Sequence, residues 1–308
     1  MSERPLEIFH YIAEYSGRKL TFDHDCLNGF LGTLDVLAEQ NPPILHLWGV
    51  PIIPYKSHKR ARSNTEEGFI AGLAWSARPG RRRSGFPSWS WTGWTGSLCS
   101  WSAWPCPKEL QWPKTDDADT KMKPDARVFV ELEKCRVVGW EEFWQAQTDH
   151  RHIRDQGKVI HVESETFALD YSYTHDDKET YIIGRATEPL GLMKRRRSGQ
   201  TSICWEGSRG LIIHLSYRPF AESPEKNPQE GTSWETQIKA MVLGRDKLDI
   251  THGKVVQRIP SGYEVIAWFS LDWEKVRIAR GTCEEWPPKG LRMDDILPQM
   301  QRERLRLI

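Results

Sequence analysis

Few residues in this chain have the types and spacing that chemistry demands. His150 and His152 are the tightest pair among ten histidines. Two residues apart on a helix do not share a face, and HExxH is absent, so the pair reads as a solvated helix end rather than a zinc site. Six cysteines are scattered without a CxxC pair. Cys99 and Cys106 lie closest, but with no secretory leader the expectation is free thiols in a reducing compartment. Cys99, set among tryptophans, reads as a packed thiol rather than a nucleophile. Glu141-Glu142 and Glu284-Glu285 are sequence neighbours whose carboxylates point apart. GxSxG, the Walker pattern and GxGxxG are all missing, which removes the commonest routes to an activated nucleophile or a phosphate cradle. His214 becomes a candidate acid or base only if the fold brings it a carboxylate. No catalytic, cofactor or metal-binding residue is assigned on this basis.

Three basic clusters invite a phosphate: Lys59-Arg60, Arg81-Arg82-Arg83 and Lys194-Arg195-Arg196-Arg197. Each could bind nucleic acid or serve as a nuclear signal. Each also sits beside Gly, Pro or Ser, where a solvated turn is the ordinary reading. The whole chain gives no support to the phosphate reading, because 43 basic against 42 acidic residues leave a net charge of +1. That excludes a global attraction to nucleic acid or to an anionic membrane.

The strongest local signal is aromatic. "GFPSWSWTGWTGSLCSW", residues 85–101, holds four of the fifteen tryptophans. Ser88-Trp89-Ser90-Trp91 alternates with the period of a strand, placing both indoles on one face and both serines on the other. Gly93 and Gly96 break the pattern and put Trp94 in or beside a turn. Burying such a strand against neighbouring helices makes it a structural plug. Trp101, Trp104 and Trp112 stand less regularly among prolines and are the candidate ligand-stacking residues.

The elements that must position this stretch come before it. Residues 23–40 carry Leu27, Phe30, Leu31, Leu34 and Leu37 at helical spacing, with Thr21 or Asp23 as cap. Asn41-Pro42-Pro43 ends that helix. Residues 44–54 form an apolar, proline-bounded strand or buried loop. A second helix is expected over 66–77, with Glu66 and Glu67 in its first turn. Residues 113–126 are polar and proline-flanked, and read as a linker. Beyond them the period shortens: 127–138 places Val128, Val130 and Leu132 on one face, and 211–217 does the same with Leu211, Ile213, Leu215 and Tyr217. "YIIGRA", "IKAMVLG", "KVVQRI" and "YEVIAWFSL" are further strands, the last two joined by a Pro260-Ser261-Gly262 hairpin. Residues 140–152 suggest a short helix and 221–233 an exposed loop. The fold class is therefore α+β: a helix-containing, Trp-rich part (1–112), a linker (113–126) and a mainly antiparallel β-rich part (127–308), as a sandwich or open barrel. The N-terminus lacks a signal-peptide pattern and no apolar run spans a bilayer, so a cytoplasmic protein is expected, with a nuclear one as the alternative.

Phe86-Pro87-Ser88-Trp89-Ser90-Trp91-Thr92-Gly93-Trp94-Thr95-Gly96, preceded in order by "LHLWGVPI" and "GFIAGLAW", resembles the region that follows the heterokaryon-incompatibility (HET) domain in fungal HET-type proteins. The resemblance covers about residues 15 to 100. It implies a role in non-self recognition and programmed cell death. The HET domain, to which the killing activity is attributed, precedes this region in the family and is not in this sequence. The expectation is a regulatory or interaction module acting through protein partners, without catalysis of its own and without cofactor or metal. The alternatives are a carbohydrate- or small-ligand-binding β module and an enzyme with an unfamiliar site.

Overall fold

A computed structural model describes residues 7–53, 55–56, 63–77, 81–96, 98–101, 122–147, 156–174, 179–184, 201–204, 212–215, 238–246, 251–271 and 301–308. Four α-helices stand in it: α1 (Glu7–Ser16), α2 (Asn28–Ala38), α3 (Thr65–Leu73) and α4 (Trp140–Gln145). The strands of the first half are short: β1 (Leu45–Leu47), β2 (Val50–Ile52), β3 (Tyr55–Lys56), β4 (Ser63–Asn64), β5 (Trp75–Ala77) and β6 (Leu98–Trp101). Those of the second half are β7 (Met122–Pro124), β8 (Arg127–Glu131), β9 (Val137–Gly139), β10 (Val159–Thr174), β11 (Glu179–Gly184), β12 (Thr201–Cys204), β13 (Ile212–Leu215), β14 (Ile238–Asp246), β15 (Thr251–Ile259), β16 (Gly262–Leu271) and β17 (Gln301–Leu307).

The α+β expectation holds: helices gather in the first half, and an eleven-stranded, largely antiparallel sheet fills the second. Pairing in that sheet returns on itself. β10 pairs β14, β14 pairs β15, β15 pairs β16, and β17 pairs β10 along Ile160–Thr166. One parallel bridge, Tyr263 to Leu307, joins β16 to β17 and completes the ring. Such closure gives strand edges partners within the chain. The hairpin at Pro260-Ser261 joins β15 and β16 as the turn signal predicted.

The helical stripe of residues 23–40 becomes α2, with Phe30, Leu34 and Leu37 buried. It starts later than expected, because residues 23–25 form a 3-10 turn and neither Thr21 nor Asp23 caps α2. Asp23 instead accepts from Arg81 and Arg83. The second helix ends at Leu73 rather than 77. Trp75–Ala77 leaves it to pair with β6, and tertiary pairing here overrides helical period. The helix has a second constraint. A Cβ on Gly68 would lie 1.8 Å from the Ile53 carbonyl oxygen, and one on Gly72 would lie 2.3 Å from that of Pro51. Two glycines on successive turns thus let the chain leaving β1–β2 lie against α3.

Between the halves, Met122–Pro124 pairs with β14, while the earlier part of the 113–126 stretch lies outside the described residues, as does the expected loop at 221–233. One apolar core draws on both halves. It includes Phe30, Leu34, Phe69, Trp89 and Trp91 together with Val128, Val130, Ile160, Val162 and Leu305. Val128 and Val130 are buried as the alternation in 127–138 requires, whereas Leu132 is only half-buried. The helix expected at 140–152 is seen over Trp140–Gln145. Trp140 stacks on Phe69 with centroids 4.6 Å apart and donates its Nε1 hydrogen to Thr65 Oγ1 at 3.0 Å. Glu66, expected as a helix-start acid, accepts from the Val128 amide at 2.7 Å, and burial pushes its carboxyl up. It therefore ties α3 to β8.

Candidate functional site

Residues 86–96 are not a strand. Pro87–Ser90 is a run of turns, and Trp91–Gly93 is a 3-10 helix. The alternation arises from a different cause. A strand would pair its backbone groups with a neighbour along a ladder. Here the carbonyls of this stretch are taken by arginines and indoles, and the two serines point into the protein rather than to a solvent face. Trp89 and Trp91 are each 1 % exposed, and Ser88, Ser90 and Thr92 are fully buried.

Each indole fills one helix-lined recess. Trp89 meets Phe69 of α3 edge-on at 5.9 Å, and Trp91 meets Phe30 of α2 at 5.8 Å and 90°. The plug is thus packed against both expected helices. Aromatic pairs in this geometry add to the burial of roughly 150–250 Å² per ring. Trp91 Nε1 donates to the Gly49 carbonyl at 2.8 Å, Trp89 Nε1 to the Lys158 carbonyl at 3.2 Å, and Trp94 Nε1 to the Ser88 carbonyl at 2.8 Å. From the other side, Trp75 Nε1 donates to the Trp89 carbonyl at 3.0 Å.

The small residues are fastened as fully. Ser90 caps the 3-10 turn by accepting from the Thr92 amide at 3.1 Å, and donates to the Trp48 carbonyl at 2.5 Å. Thr92 Oγ1 donates to the same carbonyl at 3.1 Å. That carbonyl belongs to the tight turn between β1 and β2, where Trp48 and Gly49 have φ of 51° and 88°. Gly49 is required twice over: its backbone is left-handed, and a Cβ there would lie 2.8 Å from Thr92 Cγ2. Ser88 ties the block to the sheet. Its amide donates to the Ile308 carbonyl at 2.8 Å, its hydroxyl donates to the same oxygen, and it accepts from the Val265 amide at 3.0 Å.

The basic triplet 81–83 corrects the solvated-turn expectation. Arg81 is the exposed member, paired with Asp23 at 2.5 Å. Arg83 is 6 % exposed and donates to Asp23 Oδ1 and to the carbonyls of Thr92 and Trp94. Arg82 donates to Glu264 Oε1 at 2.8 Å, to the Phe86 carbonyl at 2.6 Å and to the carbonyls of Arg83 and Gly93. It also lies over the Trp94 ring at 5.7 Å. Burial pulls its guanidinium below the usual arginine range, against the opposing effect of Glu264. Five fixed donors on a planar fork suit this gathering of carbonyls. The arginine hydrogens Asp23 receives, those of Arg81 first, hold its carboxyl below the carboxylate range. Near Arg83, burial pushes the Cys26 thiol up to about 11, which keeps it protonated and inert.

The remaining expected site residues are placed as follows. Phe86 is buried and meets Trp48 edge-on at 6.3 Å; Pro87 and Gly93 are buried; Gly96 is half-buried. Trp101 stands opposite Trp75 in the β5–β6 register, and its side chain is outside the described set. Trp104 and Trp112, His150 and His152, Cys106, and the clusters at 59–60 and 194–197 lie outside the described residues. His214 is in β13, with its side chain not described.

Two clusters escaped the sequence reading. Glu131 of β8 receives two hydrogen bonds from Arg306 of β17, at 2.7 and 2.8 Å, and lies 2.9 Å from His161 Nε2 of β10. Arg306 first, then His161, holds its carboxyl down to about 2. These residues are 30 to 175 positions apart in sequence, so only strand register brings them together. The second is Lys254 of β15, 2 % exposed, whose Nζ donates to the Trp75 carbonyl at 2.6 Å and lies 3.5 Å from the Trp75 ring centroid. Burial draws its amine well below the lysine range. Thr251–Val256 are buried on both faces of β15, so alternation along the strand gives no signal for Lys254.

Comparison with protein-family models, with curated proteins and with solved structures finds no match for this chain. Among the described residues, no helix is long and apolar enough to cross a membrane, and no three of His, Cys, Asp and Glu converge to hold a metal ion.

Proposed function

We propose that this chain is the regulatory and interaction portion of a fungal HET-type protein, linked to non-self recognition and incompatibility, and that it acts through protein partners without catalysis of its own. One observation supports the reading above the rest. The three sequence elements that carry the resemblance lie up to about fifty residues apart, yet they are bonded to one another. "LHLWGVPI" offers the Trp48 and Gly49 carbonyls to Ser90, Thr92 and Trp91. "GFIAGLAW" offers Phe69 and the Trp75 indole to Trp89. The three elements thus form a single packed unit, and altering one strands polar groups or opens a void in another. The tryptophans Trp89 and Trp91 are consumed in that packing, so they offer no stacking face to a sugar or base. On this reading the module works in the cytoplasm or nucleus.

The test is growth of a fungal host expressing residues 1–308, alone and together with a complete HET-type protein. Expressed alone, the chain leaves growth intact, and co-expression changes the killing by the complete protein. Affinity capture of the complete protein by the chain should accompany that change. Lethality of the chain alone, or turnover of NAD, ATP or a simple ester that one point substitution in a folded protein abolishes, overturns the reading.

A further inference from the structure

We propose that Lys254, Trp268 and His252 form a buried binding site for a small carboxylate carrying an apolar tail. The proposal is independent of the HET-type reading. Strand register builds the cluster: Lys254 of β15 stands directly opposite Trp268 of β16, and opposite Met241 of β14 on its other side. Cross-strand partners have Cβ atoms about 4.5–5.5 Å apart, so the two side chains leave the sheet on one face as neighbours. His252, two residues back along β15, lies on that same face, and its ring is stacked on Trp268 at 6.2 Å and 19°. Trp75 lies over Lys254 from the helical half.

The chemistry of this cluster is one-sided. Lys254 Nζ has three hydrogens to donate when charged, and the Trp75 carbonyl takes one. Trp268 Nε1 is buried with no hydrogen-bond partner. No carboxylate of the described residues pairs with Lys254, and burial alone accounts for the direction in which its amine is shifted. Buried amines ordinarily have acid partners, and buried donors ordinarily have acceptors. A carboxylate supplies both: one negative charge for the amine and two acceptor oxygens for the ammonium and the indole N–H. An apolar tail suits the apolar side chains next to the amine, the Trp75 ring and Met241 opposite Lys254 on β14. A phosphate dianion would leave a surplus charge in the same low-dielectric surroundings. A sugar would require acceptors from a protein cluster that presents N–H donors. Burial disfavours the charged form of the amine, and entry of the anion favours protonation of Lys254.

The experiment uses the full chain with benzoate as probe, benzamide as its neutral isostere and acetate as the tail-less form. Benzoate should raise the melting temperature in a concentration-dependent way at about millimolar levels, with acetate weaker and benzamide inert. Calorimetric titration of benzoate near neutral pH should give heats that differ between phosphate and Tris buffers, in the sense of proton uptake. Trp268→Phe keeps the ring and removes the N–H, and should weaken benzoate binding about tenfold. Lys254→Met should abolish both binding and proton uptake. Absence of any benzoate shift, an equal shift with benzamide, or unchanged binding in Trp268→Phe overturns the proposal. Should Lys254→Met fail to fold, the buffer dependence of the native chain and the Trp268→Phe titration decide the matter.

Discussion

The block at 86–96 and the middle of β15–β16 are both buried, both tryptophan-bearing and both close to a basic side chain, yet they treat polar groups in opposite ways. In the block, Ser88, Ser90, Thr92 and the indoles of Trp89, Trp91 and Trp94 all have partners, and Arg82 and Arg83 gather its carbonyls. On β15–β16, Lys254 has a carbonyl and a ring but no acid, and the Trp268 N–H has nothing. A satisfied buried network fixes one arrangement of the chain, whereas an unsatisfied one costs stability and leaves capacity for something else to bind. The first pattern is that of a structural joint, and the second is that of a site.

The sharpest way to break this contrast is at its aromatic centre. Trp89→Ala removes the ring that meets Phe69 and the N–H that ties to Lys158, and should lower unfolding free energy by about 3–5 kcal/mol. Urea denaturation followed by far-ultraviolet circular dichroism checks this through the midpoint. A loss under about 1 kcal/mol would mean the recess does not depend on the ring.

Ser90→Ala is a smaller cut in the same network. It deletes the cap on Thr92 and the bond to Trp48, and should cost about 1–2 kcal/mol. Thr92 and the Trp48 carbonyl remain bonded to one another, which limits the damage. A combined Ser90→Ala and Trp91→Phe protein should lose less than the two separate losses added, since both act on the β1–β2 turn. Strict additivity in that double-mutant cycle would show the contacts to be independent.

The β15 site should respond in the opposite direction. Lys254→Met keeps the length of the side chain and discards an amine that burial destabilises when charged, so stability near neutral pH should rise by about 1 kcal/mol. The pH dependence follows from the sign of the shift. The folded amine titrates below the unfolded one, so between those two values the unfolded chain holds the extra proton. Native stability therefore rises with pH through that window up to about 10.4, by at most about 1.4 kcal/mol per pH unit, and is lost as pH falls. Lys254→Met should remove that slope. Chemical denaturation of both proteins at stepped pH between neutrality and about 10 measures it. Identical slopes would place Lys254 as an ordinary charged lysine, and a destabilised Lys254→Met would assign the Trp75 contact more weight than the desolvation.

The sequence was most legible where neighbours along the chain decide the outcome. Of the expected stripe, Phe30, Leu34 and Leu37 are the buried face of α2, with Leu27 buried just before it and Leu31 half-buried, and Val128 and Val130 are the buried face of β8. Pro260-Ser261-Gly262 locates a hairpin correctly because turn chemistry is local. The burial of Trp89 and Trp91 was legible in their size and apolarity, while their backbone was not. A period of two arises equally from a strand and from a coiled stretch whose serines are pulled inward, and the sequence contains no term that separates them. The helix over 66–77 failed at Trp75 for a related reason: the competing partner, β6, lies more than twenty residues away.

Amino-acid order alone thus determined the α+β division, strands such as β8, β15 and β16, and the burial of Trp89 and Trp91, because side-chain size, turn preference and period act over a few residues, while β10 and β17 carried no such signal. Tertiary structure decided the rest. It turned Arg82 and Arg83 from an apparent surface patch into carbonyl clamps, since whether a guanidinium meets water or backbone depends on what folds over it. It brought Glu131, His161 and Arg306 together through the register of three strands. It also enclosed Lys254 beside Trp268 beneath Trp75. Burial and cross-strand pairing are properties of distant segments in contact, so a lysine in a strand carries no mark of the dry surroundings that give it a distinctive chemistry.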